Sequence, residues 1–206
     1  MADDRKKLGA AYQLTNPDQA RDFYQGWAEG YDAEIASNEY VTPRRCAEAL
    51  IRHAAAPWAP LMDLGCGTGI SGLALKAAGF ECIDGYDFSQ AMLDQAAGKD
   101  IYRALAIADL SRPLEIAAGV YQNAAAIGCI TPEYMPPTVL DEILAKLPRG
   151  GCLAFSVNDH SAADGTIVGR IMTLTDCGAA DLVFREYGEH LPGIGLKATV
   201  YVLKKR

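Results

Sequence analysis

The sequence lacks several features that would assign it to a particular class of protein. No run of eighteen apolar residues occurs in its 206 residues, so we expect no membrane-spanning helix. Residues 1–7 lack the apolar segment of a secretory signal. The six cysteines include no C-x-x-C pair, and several lie in apolar strand patterns, where cysteine behaves as a small buried hydrophobe. We therefore expect a reduced, cytoplasmic protein with no metal site.

Clusters of basic residues are also scarce. The formal net charge is −7, and runs of three Lys or Arg residues occur only at residues 5–7 and 204–206. Proteins that bind nucleic acids usually present a basic surface to the phosphates. We therefore expect neither a nucleic-acid partner nor a membrane partner, and the oligomeric state is not predicted.

The most informative segment is a glycine-rich turn between a predicted strand and a predicted helix. Residues 63–69 (DLGCGTG) follow the apolar residues 60–62 and precede an apolar helical pattern over residues 70–78. Glycine permits a sharp turn and lets a ligand approach the main chain, while the N-terminus of the next helix attracts an anionic group. This arrangement indicates a nucleotide-like ligand.

Two classes of ligand are compatible with this turn. Gly67, Gly69 and Gly72 match the dinucleotide fingerprint G-x-G-x-x-G, and an acid, Asp87, lies twenty residues after Gly67. With its leading Asp63, the same segment also resembles the D-x-G-x-G-x-G loop of class I methyltransferases, which bind S-adenosylmethionine (SAM). The turn alone does not choose between NAD and SAM.

Acids at the ends of two further strands favour SAM. Asp87 ends the second predicted strand, and residues 85–93 (GYDFSQAML) resemble the methyltransferase segment G-x-D-x-S-x-x-M-L. A carboxylate there can accept hydrogen bonds from both ribose hydroxyls, and it can also cap the helix that begins near Ser89. Asp109 follows the third predicted strand, where the resemblance implies contact with the adenine amino group.

The segment before the first nucleotide-binding strand also favours a methyltransferase, because these enzymes often carry a helical lid there. Residues 23–32 (FYQGWAEGYD) resemble the Y-x-x-W-A-x-x-Y-D segment of small SAM-dependent methyltransferases, and Tyr40 and Pro43 follow it. Over residues 16–109, the chain is most similar to the methyltransferase-like proteins of the Williams–Beuren region type. This resemblance implies SAM as cofactor and no particular methyl acceptor.

The order of predicted elements is typical of a class I methyltransferase. Strands and helices alternate from residue 59, and residues 182–187 and 197–204 then predict an antiparallel hairpin. We expect an α/β, Rossmann-like fold with a seven-stranded, mostly parallel sheet, a C-terminal antiparallel hairpin and an N-terminal helical lid. Residues 1–206 are predicted to form a single domain, with residues 1–58 as the lid and 59–206 as the SAM-binding core.

The predicted cofactor site combines the glycine turn, the strand-end acids and two lid tyrosines. Its residues are Asp63, Gly65, Cys66, Gly67, Thr68, Gly69, Asp87, Phe88, Met92, Asp109, Leu110, Tyr24 and Tyr31. Tyr24, Trp27 and Tyr31 recur at helical spacing, which also indicates a packing face, and we expect Trp27 to be mainly core. The two tyrosine hydroxyls are candidates for contact with the methionine carboxylate of SAM or with the acceptor.

The methyl acceptor is expected beyond the carboxyl ends of the fourth and fifth strands, beside the switch point of the sheet. His160 is the best candidate for a general base because histidine titrates near neutral pH, and the alternative is that it caps or decorates a surface loop. Glu133 and Tyr134 are further candidates for binding the acceptor. A base is needed only if the acceptor keeps its proton, since SAM is already activated for in-line displacement.

Together these features predict a SAM-dependent methyltransferase that acts on a small-molecule acceptor. Two alternatives stay open. A non-catalytic regulatory protein that binds SAM or a nucleotide would have the same cofactor loop. An NAD-dependent oxidoreductase would need a catalytic Tyr-x-x-x-Lys pair or an equivalent constellation, and we expect none.

Overall fold

A seven-stranded sheet forms the centre of the fold. The computed structural model describes residues 5–132, 135–163 and 165–206. The strands are β1 (Leu61–Leu64), β2 (Ile83–Asp87), β3 (Ala104–Ile107), β4 (Asn123–Ala126), β5 (Cys152–Asn158), β6 (Ala180–Leu191) and β7 (Leu196–Lys205). They lie in the order β3-β2-β1-β4-β5-β7-β6. Pairs among β1 to β5 are parallel, whereas β7 pairs antiparallel with both β5 and β6. The predicted fold class is confirmed.

Helices cover both faces of this sheet and the edge where its strands end. They are α1 (Arg5–Ala11), α2 (Pro17–Ser37), α3 (Thr42–His53), α4 (Ile70–Ala78), α5 (Gln90–Ala97), α6 (Val139–Lys146), α7 (Asp159–Ala162) and α8 (Thr166–Asp176). A short 3₁₀ turn, Pro192–Ile194, joins β6 to β7. The helix predicted at residues 70–78 is confirmed, and Gly79 ends it with a φ of 111° that favours glycine.

The central strands are buried because helices pack on each side of them. Every residue of β1 and β4 is buried, as in parallel sheets that are covered on both faces. Cys46 and Leu50 of α3 pack with Leu75 of α4 on one face. Leu140 of α6 and Ile171 of α8 pack on the other face. The glycine-rich turn that follows β1 is therefore attached to a fully buried strand.

Two elements depart from the predicted pattern. α1 lies in the predicted lid, and α7 is a single helical turn directly after β5. The side chain of Asn158 caps α7 by accepting a hydrogen bond from the backbone N–H of Ser161 at 2.9 Å. His160 therefore lies in a capped helical turn and not in an irregular loop.

Neither a membrane-spanning helix nor a metal-binding cluster occurs among the described residues. None of the helices in this part of the chain has the length and apolar character needed to cross a bilayer. No group of three metal-binding side chains comes together among the same residues. All six cysteines are free, and Cys46, Cys66 and Cys152 are buried.

Candidate functional site

A cavity of about 870 Å³, including space open to solvent, lies where β1, β2 and β3 end, beneath α2. The cavity wall includes eleven of the thirteen predicted cofactor residues: Tyr24, Tyr31, Gly65, Cys66, Gly67, Thr68, Asp87, Phe88, Met92, Asp109 and Leu110. We call this space the first cavity. The topology brings nine of these residues together because the carboxyl ends of β1, β2 and β3 share one edge of the sheet, and α2 adds Tyr24 and Tyr31.

The glycine turn has a backbone conformation that side chains disfavour. Gly65 and Gly67 have φ values of 65° and 54°. A Cβ atom on Gly65 would lie 2.5 Å from Cβ of Cys129, the residue that packs against the turn from the loop after β4. A Cβ atom on Gly67 would meet no described protein atom within 4 Å. Gly65 is therefore needed for packing within the protein, whereas Gly67 faces open space in the first cavity.

Asp87 is a buried carboxylate in the wall of the first cavity. Its side chain accepts hydrogen bonds from the backbone N–H groups of Gly67 and Ser89, each at 2.9 Å. Burial raises the pKa of Asp87 to about 6, so the group is mainly ionised at neutral pH. A carboxylate has about four lone-pair sites, so two backbone donors leave capacity for a ligand's hydroxyl groups. The side chain that caps α5 is that of Ser89 and not Asp87, and its Oγ accepts from the backbone N–H of Met92.

Asp109 also lines the first cavity and is tied to α2. Its carboxylate accepts hydrogen bonds from the backbone N–H and the hydroxyl of Ser111, at 2.9 and 2.5 Å. Arg21 of α2 donates to its other oxygen at 3.2 Å. Arg21 is a site residue that the sequence did not reveal, because the two residues are 88 positions apart.

Three polar residues of α2 contact the three loops around the first cavity. Besides Arg21, Gln25 accepts a hydrogen bond from Ser89 Oγ at 2.9 Å. Asp32 accepts one from Thr68 Oγ1 at 2.5 Å and pairs with Lys99 at 2.7 Å. Arg21, Gln25 and Asp32 are four and seven positions apart, which places them on one face of the helix. We call these three residues the α2 polar stripe.

The aromatic residues of α2 form a cluster beside this stripe. Trp27 is 1% exposed and packs between Tyr24 and Tyr31, with ring centroids 5.9 and 4.8 Å away. The prediction that Trp27 is mainly core is confirmed. Tyr24 also packs against Phe88, the residue after Asp87, with centroids 5.9 Å apart. Helix α2 and the loop after β2 therefore share one aromatic surface.

Asp63 and Gly69 do not line the first cavity. Asp63 is fully buried beneath the turn, where it accepts hydrogen bonds from Ser71 Oγ at 2.6 Å and Tyr102 Oη at 2.8 Å. Gly69 is the N-cap of α4 and has a φ of 93°. Both residues shape the turn from within the protein, because strand and helix direct them away from the open side.

The buried Asp63 should make stability depend on pH. Burial raises its pKa from 3.8 to about 7 in the folded chain, so the unfolded chain loses this proton at lower pH. This contribution to stability is present below about pH 4 and is lost as pH rises towards 7. As the pH rises from acidic to slightly basic, the unfolding free energy of Asp63→Asn should therefore rise by about 2–4 kcal/mol relative to that of the parent protein. Urea unfolding of both proteins over this pH range measures the difference. Parallel curves of unfolding free energy against pH would contradict the prediction.

A second cavity of about 620 Å³ lies on the other side of the aromatic residues of α2. Tyr24, Tyr31, Tyr40 and Gly128 line both cavities, so the two spaces share a wall. The second cavity lies at the ends of β4 and β5, under α1 and α2. This is the side of the sheet where the acceptor was predicted.

His160 lines the second cavity and not the first. Its imidazole stacks on Tyr12 with ring centroids 4.6 Å apart. His190, which was not predicted, lines the same cavity, and Thr42 Oγ1 lies 2.8 Å from its Nδ1. The candidates Glu133 and Tyr134 lie outside the described residues.

Known methyltransferases resemble this chain in sequence and in fold. No family model matches the sequence. Human methyltransferase-like protein 27 is 29% identical over 161 residues, which are 77% of this chain and 65% of that protein. The match thus covers slightly less than two thirds of the relative. The magnesium protoporphyrin IX methyltransferase of Synechocystis PCC 6803, solved with bound SAM, has a TM-score of 0.68 at 14% identity, covering 94% of this chain and 98% of that chain.

The chain therefore has the fold of the class I SAM-dependent methyltransferases. The Synechocystis enzyme has been solved with SAM and also with S-adenosylhomocysteine bound. A shorter match is the probable 18S rRNA (guanine-N(7))-methyltransferase of Dictyostelium discoideum, 37% identical over 70 residues, or 34% of this chain and 24% of that protein. These similar proteins thus differ in what their names say they methylate.

The oxidoreductase alternative finds no catalytic Tyr–Lys pair at the first cavity among the described residues. The expectation that no Tyr-x-x-x-Lys spacing occurs was wrong, because Tyr201 and Lys205 have it. Both lie in β7, and neither lines the first cavity. Tyr201 is buried and stacks on Phe155, while Lys205 donates to the backbone oxygen of Leu147 at 2.6 Å. Their roles are therefore in packing and in holding the strand.

Several residues of the first cavity escaped prediction. They are Pro17, Tyr40, Pro43, Ile70, Ser71, Ala108, Ser111, Ile127, Gly128, Cys129 and Met135. Tyr40 and Pro43 carried a signal, since they extend the lid resemblance. Most of the others are small or apolar, and nothing in their local sequence distinguishes a cavity wall from an ordinary core.

Proposed function

We propose that this protein is a SAM-dependent methyltransferase. It binds SAM in the first cavity and transfers its methyl group to a small-molecule acceptor in the second cavity. The observation that carries the proposal is the shared wall formed by Tyr24, Tyr31, Tyr40 and Gly128. Two adjoining cavities are what an in-line displacement requires, because donor and acceptor must be held in contact.

The residues of the first cavity fit SAM. Asp87 has a buried, ionised carboxylate with capacity for two ribose hydroxyls. Asp109 would accept from the adenine amino group, and the glycine turn with the N-terminus of α4 would receive the methionine carboxylate. Tyr24 and Tyr31 would close over the methionine part. When bound, SAM supplies a methyl group that its positive sulfonium has already activated.

The second cavity supports a small-molecule acceptor. Its described wall contains no Asp, Glu, Lys or Arg, and the chain has a net charge of −7. An RNA substrate would require a basic path to the site for its phosphates. Methylation of rRNA is the alternative that the Dictyostelium relative favours, and it needs its own test.

His160 is the proposed general base for acceptors that keep their proton at neutral pH. It lines the second cavity, and its ring is positioned by stacking on Tyr12. Acceptors that are already nucleophilic need no base. We also propose the cytoplasmic location that the cysteine pattern predicts.

Titration calorimetry with S-adenosylhomocysteine (SAH), SAM and NAD tests the cofactor assignment. SAH and SAM should bind in the micromolar range, about −8 kcal/mol, and NAD should not bind. A screen of metabolites and an 18S-type RNA hairpin with labelled SAM then tests transfer. Tight SAH binding with no transfer to any acceptor would favour the regulatory alternative, and transfer to the hairpin alone would exclude a small-molecule acceptor.

The α2 polar stripe predicts that the lid closes on the cofactor. SAH should bridge the same three loops that Arg21, Gln25 and Asp32 contact, so it should slow hydrogen exchange in α2. Exchange in α8, which packs on the sheet and lines neither cavity, serves as the internal control. Equal protection of α2 with and without SAH would contradict lid closure.

A further inference from the structure

Trp27 carries a buried hydrogen-bond donor with no acceptor in the protein. The residue is 1% exposed, and its Nε1 has no hydrogen-bond partner among the residues that the structure describes. Buried N–H groups are almost always paired, so an exception requires an explanation. Trp27 lines the second cavity and not the first, which makes an occupant of the second cavity a natural partner for Nε1.

The wall of the second cavity is aromatic, apolar and without formal charge. Seven rings line it: Tyr12, Tyr24, Trp27, Tyr31, Tyr40, His160 and His190. Leu8, Ala11 and Ile35 add apolar surface. Burial lowers the pKa of His190 to about 4, so its ring is neutral at neutral pH. An ionised acceptor would lose its hydration here without gaining a counter-charge.

The polar groups of this wall lie mainly on one side. Thr131, Asn158 and Ser161 come from the ends of β4 and β5, whereas the apolar and aromatic groups come mainly from α1 and α2. Such a wall is complementary to a flat molecule with an apolar body and few polar atoms.

We infer that the second cavity binds an uncharged aromatic acceptor whose carbonyl or hydroxyl oxygen accepts a hydrogen bond from Nε1 of Trp27. This inference rests on the proposed function, since it takes the second cavity to be the acceptor site. It makes Trp27 a residue that selects the acceptor, in addition to its place in the core of the lid.

Three probes of similar size test the charge requirement. Methyl 4-hydroxybenzoate is neutral at neutral pH, 4-hydroxybenzoate is an anion and tyramine is a cation. Their binding to the full chain is measured by ligand-observed NMR, with and without saturating SAH. The neutral ester should bind at least about tenfold more tightly than either charged probe, because only the charged probes need an absent counter-charge. Equal affinities for the three probes would overturn the inference.

Trp27→Phe tests the hydrogen bond, because it keeps an aromatic ring and removes Nε1. It should weaken binding of the neutral ester by about tenfold, as expected for one lost hydrogen bond, and leave SAH affinity unchanged. Trp58→Phe is the matched control, since Trp58 is 67% exposed and lines neither cavity. Unchanged ester binding in Trp27→Phe would overturn the inference, even if SAH binds normally.

The proposed SAM site and the inferred aromatic acceptor would be contradicted by different results. If SAH does not bind but the neutral ester does, in a manner sensitive to Trp27→Phe, then the cofactor assignment fails and the ligand site stands. A second outcome is that SAH binds, no free probe binds, and an 18S-type RNA hairpin binds in a manner sensitive to Trp27→Phe. In that case the occupant is an RNA base, and the small-molecule inference fails.

Discussion

Asp87→Ala is expected to weaken SAH binding by about 2–4 kcal/mol, a factor of about 30 to 1,000. The buried carboxylate in the wall of the first cavity is the proposed partner of both ribose hydroxyls. Charge-assisted hydrogen bonds in a partly desolvated site are among the strongest that a protein makes. Calorimetry with SAH measures the loss.

Asp87→Asn separates the charge from the shape of this side chain. It keeps one oxygen for the backbone donors Gly67 and Ser89, so the turn should stay in place while the charge is lost. Asp87→Ala removes both acceptors and should also lower the unfolding free energy by about 1–3 kcal/mol. Urea denaturation distinguishes the effects on binding and folding. Unchanged SAH affinity in a folded Asp87→Ala variant would mean that the ribose is held elsewhere.

The pH dependence of binding gives an independent check on Asp87. Burial raises its pKa to about 6, and only the ionised form can accept from both hydroxyls. SAH affinity should therefore be constant above about pH 7 and decline as pH falls below about 6. The decline attributable to this group should be absent in Asp87→Asn, whose affinity should be low at every pH.

Gly65→Ala should be the most damaging substitution of a single glycine in the turn. The new Cβ would lie 2.5 Å from Cβ of Cys129, and the φ of 65° disfavours any side chain. Overpacking and backbone strain together should lower the unfolding free energy by about 2–5 kcal/mol. Thermal and urea unfolding of the ligand-free protein measure this change.

Gly67→Ala is the matched control for Gly65→Ala. Its φ of 54° carries a similar strain, but its Cβ would meet no described protein atom within 4 Å. It should cost only about 1–2 kcal/mol in the ligand-free protein. Adding Cys129→Gly to Gly65→Ala should restore part of the lost stability by removing the contact. Equal destabilisation by the two alanines, with no effect of Cys129→Gly, would show that backbone strain alone acts at Gly65.

The sequence by itself determined the fold class and half of the residues that line the first cavity. The glycine turn and the acids Asp87 and Asp109 are recognisable because each follows an apolar strand pattern directly. In a parallel sheet, residues that follow strands meet at one edge whatever their distance along the chain. Local sequence and topology together therefore suffice to bring nine predicted residues to one wall, and α2 adds Tyr24 and Tyr31.

Only the tertiary structure decided which way the neighbouring side chains face. Asp63 is two residues from Gly65 yet lies beneath the turn, where Ser71 and Tyr102 hold it. Tyr201 and Lys205 have a catalytic spacing but lie in β7, away from the first cavity. The position of a residue along the chain does not specify which side of a strand or helix its side chain lies on, or which distant residues it contacts.

The lid and the second cavity depended on the tertiary structure for the same reason. Arg21, Gln25 and Asp32 read as an ordinary solvated helix face until the fold brings three distant loops against them. The orphan donor of Trp27 follows only from packing, since hydrophobic periodicity predicts that a ring is buried but not what its Nε1 meets. Burial is encoded by local pattern, whereas the partner of a buried polar atom depends on contacts between residues far apart in the sequence.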